Sequence, residues 1–446
     1  MGAMPREQAF PEDSLACALE LAAAAIAAVL AGRSLDVALD ECWQARPGLP
    51  ATTRSTVQEL AYGSLRRYGL DDFILTQLLH TPLREPRLRG LLLAALYRLA
   101  LRPEDSHTTV DQAVAAAARI HHGKYRGLSN ALLRNALRRQ DELRAAAQAD
   151  PVARYQHPDW WIAALRRSHP ADWEALLAAG NGRAPMTLRV NQRRADQAAC
   201  QEELAALGIA AQPLGATALI LDKPVPLARL PGFAAGRYSV QDWGAQQAAP
   251  LLGAQHGMRV LDACAAPGGK SAHLLELADI DLLSLDRDAG RATRIERNLE
   301  RLGLKAQVGV ADCRHPEHWW DGKPFQRILA DVPCSASGVV RRHPDSKWLR
   351  RASDLPAFSA TQAQILDALW RLLAADGKML YCTCSLFAQE NTQQLAAFLQ
   401  RHDDALLLPT DPGEITICQD RTSWQLLPQR THDGFFYALL GKRASP

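Results

Sequence analysis

The sequence lacks the features that mark membrane proteins and disulfide-stabilised proteins. It has no run of about 18 apolar residues, and the Ala/Leu-rich stretch 16–30 contains Glu20, so we expect an amphipathic helix there. Its nine cysteines include no Cys-x-x-Cys pair. The Cys-x-Cys at 382–384 has no second pair of ligands nearby, so we expect neither disulfides nor a metal site. The sequence therefore predicts a soluble protein of a reducing cytoplasm.

A large net charge is also missing. The chain carries 51 basic and 48 acidic residues, a formal net charge of +3, so any surface that binds a polyanion must be a local patch. With 446 residues the chain is too long for one ordinary hydrophobic core, and we expect two or three domains.

Residues 12–148 have helical periodicity almost throughout, and valine and isoleucine are sparse there. Apolar residues recur at helical spacing in the segments 14–30, 56–70, 87–101, 109–120 and 128–143. This pattern predicts an all-α domain over residues 1–150. Its basic residues cluster around Arg66, Arg134 and Arg138, either as a solvated face or as a surface that contacts RNA phosphates.

The pattern changes in residues 151–245, where linker helices precede a mixed region. Short strand-like segments occur at 186–190, 218–221 and 238–240, and a helical segment occurs at 197–207. These segments predict a small α+β subdomain.

Residues 246–446 alternate between strands and helices. Apolar strand-like runs occur at 259–264, 282–286, 306–311, 327–332, 378–382 and 435–440. Helical segments lie between them at 270–277, 290–302 and 357–373. Such alternation predicts a parallel, doubly wound sheet with ligands at the carboxyl ends of its strands.

A turn of small residues at 265–270 follows the first of these strands and opens a helix. Small residues let a ligand approach the backbone closely, and a helix N-terminus favours negative charge, although the Gly-x-Gly-x-x-Gly of dinucleotide folds is absent. Asp286 ends the next strand, where a carboxylate can bind ribose hydroxyls, and Asp312 ends the third, where it could hold an adenine amino group. The set suits an adenosyl ligand without a pyrophosphate, such as S-adenosyl-L-methionine. The candidate cofactor-binding residues are Cys264, Ala265, Ala266, Pro267, Gly268, Gly269, Lys270, Asp286, Asp312 and Asp331.

Two cysteines each follow an apolar strand-like run. They lie in the pairs Pro333-Cys334 and Thr383-Cys384, both downstream of the small-residue turn. A thiolate is the nucleophilic form of cysteine, so one thiol can attack a base while the second helps to undo the adduct. A cofactor loop with two such thiols predicts methyl transfer through a covalent adduct.

Three motifs resemble those of the RNA cytosine-5 methyltransferases of the RsmB/NOP family. Residues 262–270 resemble its cofactor loop, and residues 331–338 and 381–385 resemble its two cysteine motifs. One departure is Cys382, where a small residue such as alanine is expected; it is expected to pack as a small hydrophobe. Further segments are similar to the bacterial branch of the family and to its NusB-like and RRM-like domains; these are 339–345, 347–348, 127–135 and the middle region 151–245.

The resemblance implies a multidomain fold. It predicts an all-α NusB-like N-terminal domain (1–150), a small α+β RRM-like subdomain (151–245) and a C-terminal α/β Rossmann-like class I methyltransferase domain (246–446). The sheet of the last domain is expected to be mostly parallel and seven-stranded. A monomer is expected.

The resemblance also implies the chemistry: 5-methylation of a specific cytidine in unassembled or immature 16S rRNA, with S-adenosyl-L-methionine as cofactor. Cys384 is then the nucleophile, Cys334 assists breakdown of the adduct, and Asp331 is the partner of the cytosine N3. DNA cytosine-5 methyltransferases attack with the Pro-Cys cysteine, so the reverse assignment stays open. Two further hypotheses also stay open: a tRNA or DNA cytosine-5 methyltransferase, and a non-catalytic RNA-binding assembly factor.

The segment 341–351 is rich in basic residues and directly follows the Cys334 motif. It is either a solvated loop or a surface for RNA phosphates. In the second case Trp348 could stack on a base that has left its helix.

Overall fold

The structure, a computed structural model, describes residues 10–409 and 423–443. Its helices are α1 (Leu15–Leu30), α2 (Leu35–Ala45), α3 (Ala51–Arg66), α4 (Tyr68–Leu78), α5 (Pro86–Leu101), α6 (Ser106–Ala117), α7 (Arg126–Arg138), α8 (Gln140–Ala147), α9 (Pro151–Tyr155), α10 (Asp159–Ser168), α11 (Trp173–Gly180), α12 (Gln197–Ala206), α13 (Pro231–Ala234), α14 (Trp243–Gln246), α15 (Ala248–Leu252), α16 (Gly269–Leu277), α17 (Ala289–Leu302), α18 (Ser346–Leu349), α19 (Asp354–Leu372) and α20 (Thr392–Arg401). Its strands are β1 (Met186–Val190), β2 (Ala211–Leu214), β3 (Ala218–Leu221), β4 (Tyr238–Val240), β5 (Arg259–Asp262), β6 (Asp281–Asp286), β7 (Gln307–Val310), β8 (Phe325–Asp331), β9 (Leu373–Thr383), β10 (Ala405–Leu407), β11 (Ser423–Leu426) and β12 (Phe435–Lys442).

Packing divides the chain into two compact units. Unit 1 is Met1–Gly182 together with Val340–Ala352, and unit 2 is Arg183–Val339 together with Ser353–Pro446. This division differs from the domains expected at 1–150, 151–245 and 246–446. The linker helices α9 to α11 pack with the helical unit, and the small mixed subdomain packs with the large sheet.

Unit 1 is built around helix α1, as the Ala/Leu-rich stretch predicts. The Ser14 side chain caps its N-terminus by accepting a hydrogen bond from the backbone N–H of Cys17 at 3.2 Å. The helix is buried along most of its length and packs against α3 and α5 in a core rich in leucine and alanine. In the part of the chain that the structure describes, no helix combines the length and the apolar character that crossing a bilayer requires.

The helical periodicity of unit 1 is confirmed, but two of the expected segments are each two helices. Segment 56–70 contains the break between α3 and α4, and segment 128–143 contains the break between α7 and α8. Each break is a single residue with ψ near zero, Arg67 (ψ 5°) and Arg139 (ψ 17°). Neither is proline or glycine, so the apolar pattern continues through the break and hides it.

Unit 2 begins with an antiparallel sheet of order β2-β3-β1-β4, against which α12 packs. Strands β1, β3 and β4 and helix α12 were all expected from the sequence. Strand β2 was not, because it contains Pro213, which breaks a strand pattern and is tolerated at the edge position that β2 occupies.

The large sheet of unit 2 has the order β10-β12-β9-β8-β5-β6-β7, with β11 paired to β12. Strands β5 to β9 pair with one another in parallel, whereas β12 pairs antiparallel with β9, β10 and β11. The expected mostly parallel fold is confirmed. The sheet has eight strands where seven were expected, since β11 adds a hairpin to β12.

Both faces of the large sheet are covered by apolar side chains. Val260 and Leu329 belong to one buried cluster, and their neighbours Leu261 and Ile328 belong to another. Successive side chains of a strand point to opposite faces, so helices on each face bury one of the two clusters. The carboxyl ends of the parallel strands therefore meet at one edge, where polar residues can be exposed to a ligand.

Candidate active site

The two cysteines predicted to act together are neighbours in the structure. Cys334 follows strand β8 and Cys384 follows strand β9, which pair in parallel in the sheet. Their Sγ atoms are 3.4 Å apart, and both residues are partly exposed. The hydrogen bond to Cys384 and burial raise the pKa of the Cys334 thiol well above its usual value. This arrangement favours the protonated form of Cys334.

Asp331, at the end of β8, lies between a lysine and a third cysteine. The Lys270 ammonium forms an ion pair with its Oδ2, and the Cys382 thiol donates to its Oδ1 at 3.4 Å. Burial alone would lower the pKa of Lys270, but the Asp331 carboxylate outweighs it, so that pKa lies above its usual value. Cys382 is fully buried, as expected of a small packing residue, and it also contacts the site.

A buried carboxylate that the sequence analysis did not single out lies at the end of β5. Asp262 is fully buried, and its Oδ2 accepts a hydrogen bond from Ser271 Oγ at 2.6 Å. Its Oδ1 has no hydrogen-bond partner among the described residues. Burial raises the pKa of Asp262 to about 7. Its position at a strand end immediately before the small-residue turn was the signal that could have identified it.

The turn at 265–270 has the close backbone packing that its small residues predict. Gly268 has φ 93°, and a Cβ there would lie 3.1 Å from the Cα of Ile295 in α17. The backbone N–H of Ala266 donates to Asp286 Oδ2 at 3.3 Å, so the loop is attached to the end of β6. Asp286 itself is buried.

Asp312, expected to hold an adenine amino group, is already bound by an arginine. Arg314 donates to both of its carboxylate oxygens, at 3.0 Å and 2.6 Å. These hydrogen bonds lower the pKa of Asp312 to about 2. A ligand amino group at Asp312 would therefore share these oxygens with Arg314.

A small cavity of about 40 Å³ connects these groups. Asp286, Asp312 and Cys264 line it, and the Sγ of Cys264 is 4.0 Å from that of Cys313. The hydrogen bond to Cys313 and burial raise the pKa of Cys264 well above its usual value, which favours the protonated thiol. The last of the nine cysteines, Cys418, lies outside the described residues.

The donors and acceptors of this edge fit an adenosyl cofactor. Asp286 and Asp312 offer carboxylates at two successive strand ends, and Asp262 offers a buried oxygen that lacks a partner among the described residues. The turn at Gly268 leaves no room for a side chain.

The small subdomain reaches this loop through one buried arginine. Arg189 of β1 is fully buried and binds both oxygens of Glu276 in α16, at 2.9 Å and 2.7 Å. Its remaining nitrogen donates to the carbonyl of Gly269 at 2.8 Å. Helix α16 is thus held at both its first residue and its last turn by the same guanidinium. The sequence analysis missed this role, because nothing in β1 itself marks Arg189 as buried.

The basic segment 341–351 does not form the predicted RNA surface throughout. Its Lys347 is fully buried in unit 1, where Nζ donates to Asn181 Oδ1 at 2.7 Å. Trp348 donates from Nε1 to the carbonyl of Leu65 at 2.7 Å and packs edge-to-face on Tyr68. The prediction of RNA contact is wrong for Lys347, whose side chain is buried, and the partly exposed Trp348 is used in the packing of the helical unit.

The other predicted RNA surface, on the helices of unit 1, is partly engaged within the protein. Arg66 donates to the carbonyl of Arg341 at 3.2 Å. Arg134 and Arg138 are exposed one helical turn apart on α7, with hydrogen bonds to amide oxygens of their own helix. RNA binding by these two arginines stays a prediction.

Comparison with known families covers both units. Residues 249–441 match the family described as 16S rRNA methyltransferase RsmB/F. Residues 157–228 match the ferredoxin-like domain of RsmF/B-like methyltransferases, and residues 17–138 match the NusB family.

Relatives of similar length carry the name ribosomal RNA small subunit methyltransferase B. The protein from Pseudomonas putida is 42% identical over 437 residues, which cover 95% of this chain and 98% of that protein. The protein from Vibrio cholerae is 42% identical over 393 residues, which cover 87% of this chain and 89% of that protein. A solved methyltransferase homologue from Pyrococcus horikoshii has a TM-score of 0.58 and 24% identity, covering 66% of this chain and 98% of its own; this likeness concerns the fold alone.

Proposed function

The chain belongs to the RsmB/F family of 16S rRNA methyltransferases, and we propose that it methylates C5 of a cytidine in 16S rRNA with S-adenosyl-L-methionine as methyl donor. The observation that carries this proposal is the 3.4 Å separation of the Cys334 and Cys384 thiols beside Asp331. Two thiols at the end of neighbouring strands suit a reaction that forms and then breaks a bond to a pyrimidine.

The cofactor would be held by the edge of the sheet described above. Asp286 would bind the ribose hydroxyls of the cofactor and Asp312 its adenine, and the backbone of the turn 265–270 would line the site. When bound, the cofactor would supply an electrophilic methyl group for the transfer. Asp262, through the oxygen that has no hydrogen-bond partner among the described residues, is a further candidate to bind the cofactor.

The protein's own part in the reaction begins with a thiolate. Cys384 adds to C6 of the cytosine, which makes C5 nucleophilic enough to take the methyl group. Loss of the C5 proton then expels the Cys384 thiolate and restores the ring. Cys334 assists this release, and the raised pKa of its thiol suits a group that keeps its proton while Cys384 attacks.

Asp331 would face the polar edge of the cytosine. It forms an ion pair with Lys270, and a carboxylate accepts hydrogen bonds from the exocyclic amine and from N3 when that nitrogen is protonated. Lys270 is thus the cation paired with Asp331 at this edge of the sheet.

Substitution of each cysteine tests the roles. With tritium-labelled cofactor and 16S rRNA, Cys384→Ala should abolish methyl transfer, whereas Cys334→Ala should leave a stable protein–RNA adduct on a denaturing gel. Cys42→Ala, in unit 1, is the control and should behave as wild type. An adduct with Cys384→Ala would reverse the two roles. Methylation by a chain with serine at both positions would overturn the covalent mechanism.

The acceptor is tested separately. Naked 16S rRNA, assembled small subunits, tRNA and duplex DNA would be compared under one salt concentration, because phosphate contacts make affinity depend on salt. We expect transfer to naked 16S rRNA to exceed transfer to the other three. Preference for tRNA or DNA would refute the proposed substrate, and absence of transfer to all four would favour a non-catalytic assembly factor.

A further inference from the structure

A buried carboxylate that none of the assigned roles uses lies between the two cysteine loops. Glu390 closes a short helical turn, Ala388–Glu390, beyond strand β9, and it is fully buried. A buried carboxylate is costly unless hydrogen bonds compensate for the loss of water. Burial raises its pKa in spite of the donors around it.

Those donors come from both cysteine loops. Glu390 Oε1 accepts from the backbone N–H of Ser335, the residue after Cys334, at 2.8 Å. Its Oε2 accepts from the hydroxyl of Ser385, the residue after Cys384, at 2.6 Å. One side chain therefore binds the residue next to each thiol.

A glutamine and a set of hydroxyls complete this connection. Gln362 Nε2 donates to Glu390 Oε1 at 3.1 Å and to the carbonyl of Pro333 at 3.0 Å. The hydroxyls of Ser335, Ser337 and Ser385 lie 3.2 Å from one another. Because each group is fixed by several others, the two loops are held as one piece.

We propose that Glu390 is a positioning residue that fixes the separation of the Cys334 and Cys384 thiols, and thereby the step in which Cys334 helps to release the methylated RNA from Cys384. The proposal rests on the proposed function for its second half only. The attack of Cys384 needs one loop in place, whereas release needs both, so loss of Glu390 slows release more than attack.

Two substitutions of Glu390 distinguish the effect of its charge from the effect of its hydrogen bonds to the two cysteine loops. In Glu390→Gln the amide oxygen can still accept from Ser335 and Gln362, and its NH2 faces Ser385, whose hydroxyl can accept as well as donate. In Glu390→Ala these donors lose their acceptor. If the alanine variant does not fold, Ser385→Ala removes the contact on the Cys384 side alone and serves in its place.

The separation of the thiols is measured without RNA or cofactor. Diamide oxidises two thiols to a disulfide and takes up their two electrons and two protons. Peptide mapping then gives the rate of disulfide formation for Cys334–Cys384 and, as an internal control, for Cys264–Cys313, which Glu390 does not contact and whose sulfurs are 4.0 Å apart.

In Glu390→Ala we expect the Cys334–Cys384 rate to fall on the order of tenfold, since misplacement of reacting groups by about 1 Å has effects of this size or larger. The Cys264–Cys313 rate should stay within about twofold of wild type, and Glu390→Gln should be near wild type for both pairs. An unchanged Cys334–Cys384 rate, or an equal change in both pairs, would overturn the positioning role.

The second readout is the fate of the RNA. With 16S rRNA and cofactor, Glu390→Ala should accumulate protein–RNA adduct on a denaturing gel while the first turnover of methylation is retained. If both the first turnover of methylation and the adduct are lost, the assignment of Glu390 to the release step is contradicted. Failure of wild type to methylate would refute the proposed function but leave the thiol measurement standing.

Discussion

Replacing Arg189 by methionine should destabilise unit 2 far more than the removal of an ordinary surface arginine. The guanidinium has no exposed side-chain surface, and its partner Glu276 is 3% exposed. Methionine fills much of the same space but leaves the Glu276 carboxylate buried without its cation. Breaking a buried pair by removal of one partner costs about 3–5 kcal/mol.

The matched control is the exposed pair Arg139–Glu142, whose side chains are 44% and 63% exposed. Solvent and salt screen an exposed ion pair, so Arg139→Met should have little effect on stability. A double variant, Arg189→Met with Glu276→Met, should recover part of the lost stability, because an apolar replacement of a whole buried pair is often neutral.

Hydrogen exchange read by mass spectrometry on the full chain suits this test, because it follows α16 and β1 separately from unit 1. Arg189→Met should speed exchange in both elements and weaken binding of the proposed adenosyl cofactor, since the carbonyl of Gly269 loses its hydrogen-bond donor. The reasoning fails if Arg189→Met and Arg139→Met change exchange equally, or if the double variant is less stable than Arg189→Met alone.

Three further substitutions have expected outcomes. The pKa of Asp262 is about 7 in the folded protein, above its ordinary value of 3.8, so the free energy of unfolding of wild type falls as pH rises through this range. In Asp262→Asn the urea midpoint should therefore change less between pH 4 and about 7 than it does in wild type. Parallel plots of midpoint against pH for the two proteins would refute this. Gly268→Ala should weaken cofactor binding in calorimetry, because the added Cβ would meet α17. Gly257→Ala, also at positive φ but with nothing within 4 Å of the added Cβ, should cost only the backbone strain of about 1–2 kcal/mol and leave cofactor binding unchanged. Equal effects of the two substitutions on cofactor binding would exclude the close approach to α17. Trp348→Ala should destabilise unit 1 by roughly 3 kcal/mol, because its packing on Tyr68 is lost, and should leave RNA binding unchanged. A normal exchange rate in unit 1 together with weaker RNA binding would instead support the base-stacking interpretation.

The sequence was sufficient where local pattern decides structure. The alternation in 246–446 predicted the parallel sheet, and the small-residue turn predicted the tight loop at Gly268. The family resemblance drawn from the cysteine motifs is confirmed by relatives along nearly the whole chain. The proximity of Cys334 and Cys384 follows from two strands that end at the same edge.

The sequence was insufficient where burial depends on distant segments. Lys347 and Trp348 were read as surface residues because their neighbours are basic, yet both pack within unit 1. Nothing in the neighbouring sequence of Glu390 or Arg189 indicates its role, since groups that bind it come from distant segments of the chain. Strand β2 was missed because it contains Pro213. Proline interrupts most strands, but it is tolerated at the edge of a sheet, where β2 lies.

Unit 1 is assembled from two stretches of chain with the whole of residues 183–339 between them. On the ribosome, N-terminal domains generally fold first. Here the first helices emerge long before Asp345, whose carboxylate accepts from the N–H of Leu35 at 2.9 Å and so completes the start of α2. Unit 1 therefore cannot complete its folding until residues 340–352 have been synthesised late in translation. A fragment that stops at Gly182 would lack part of its own interior.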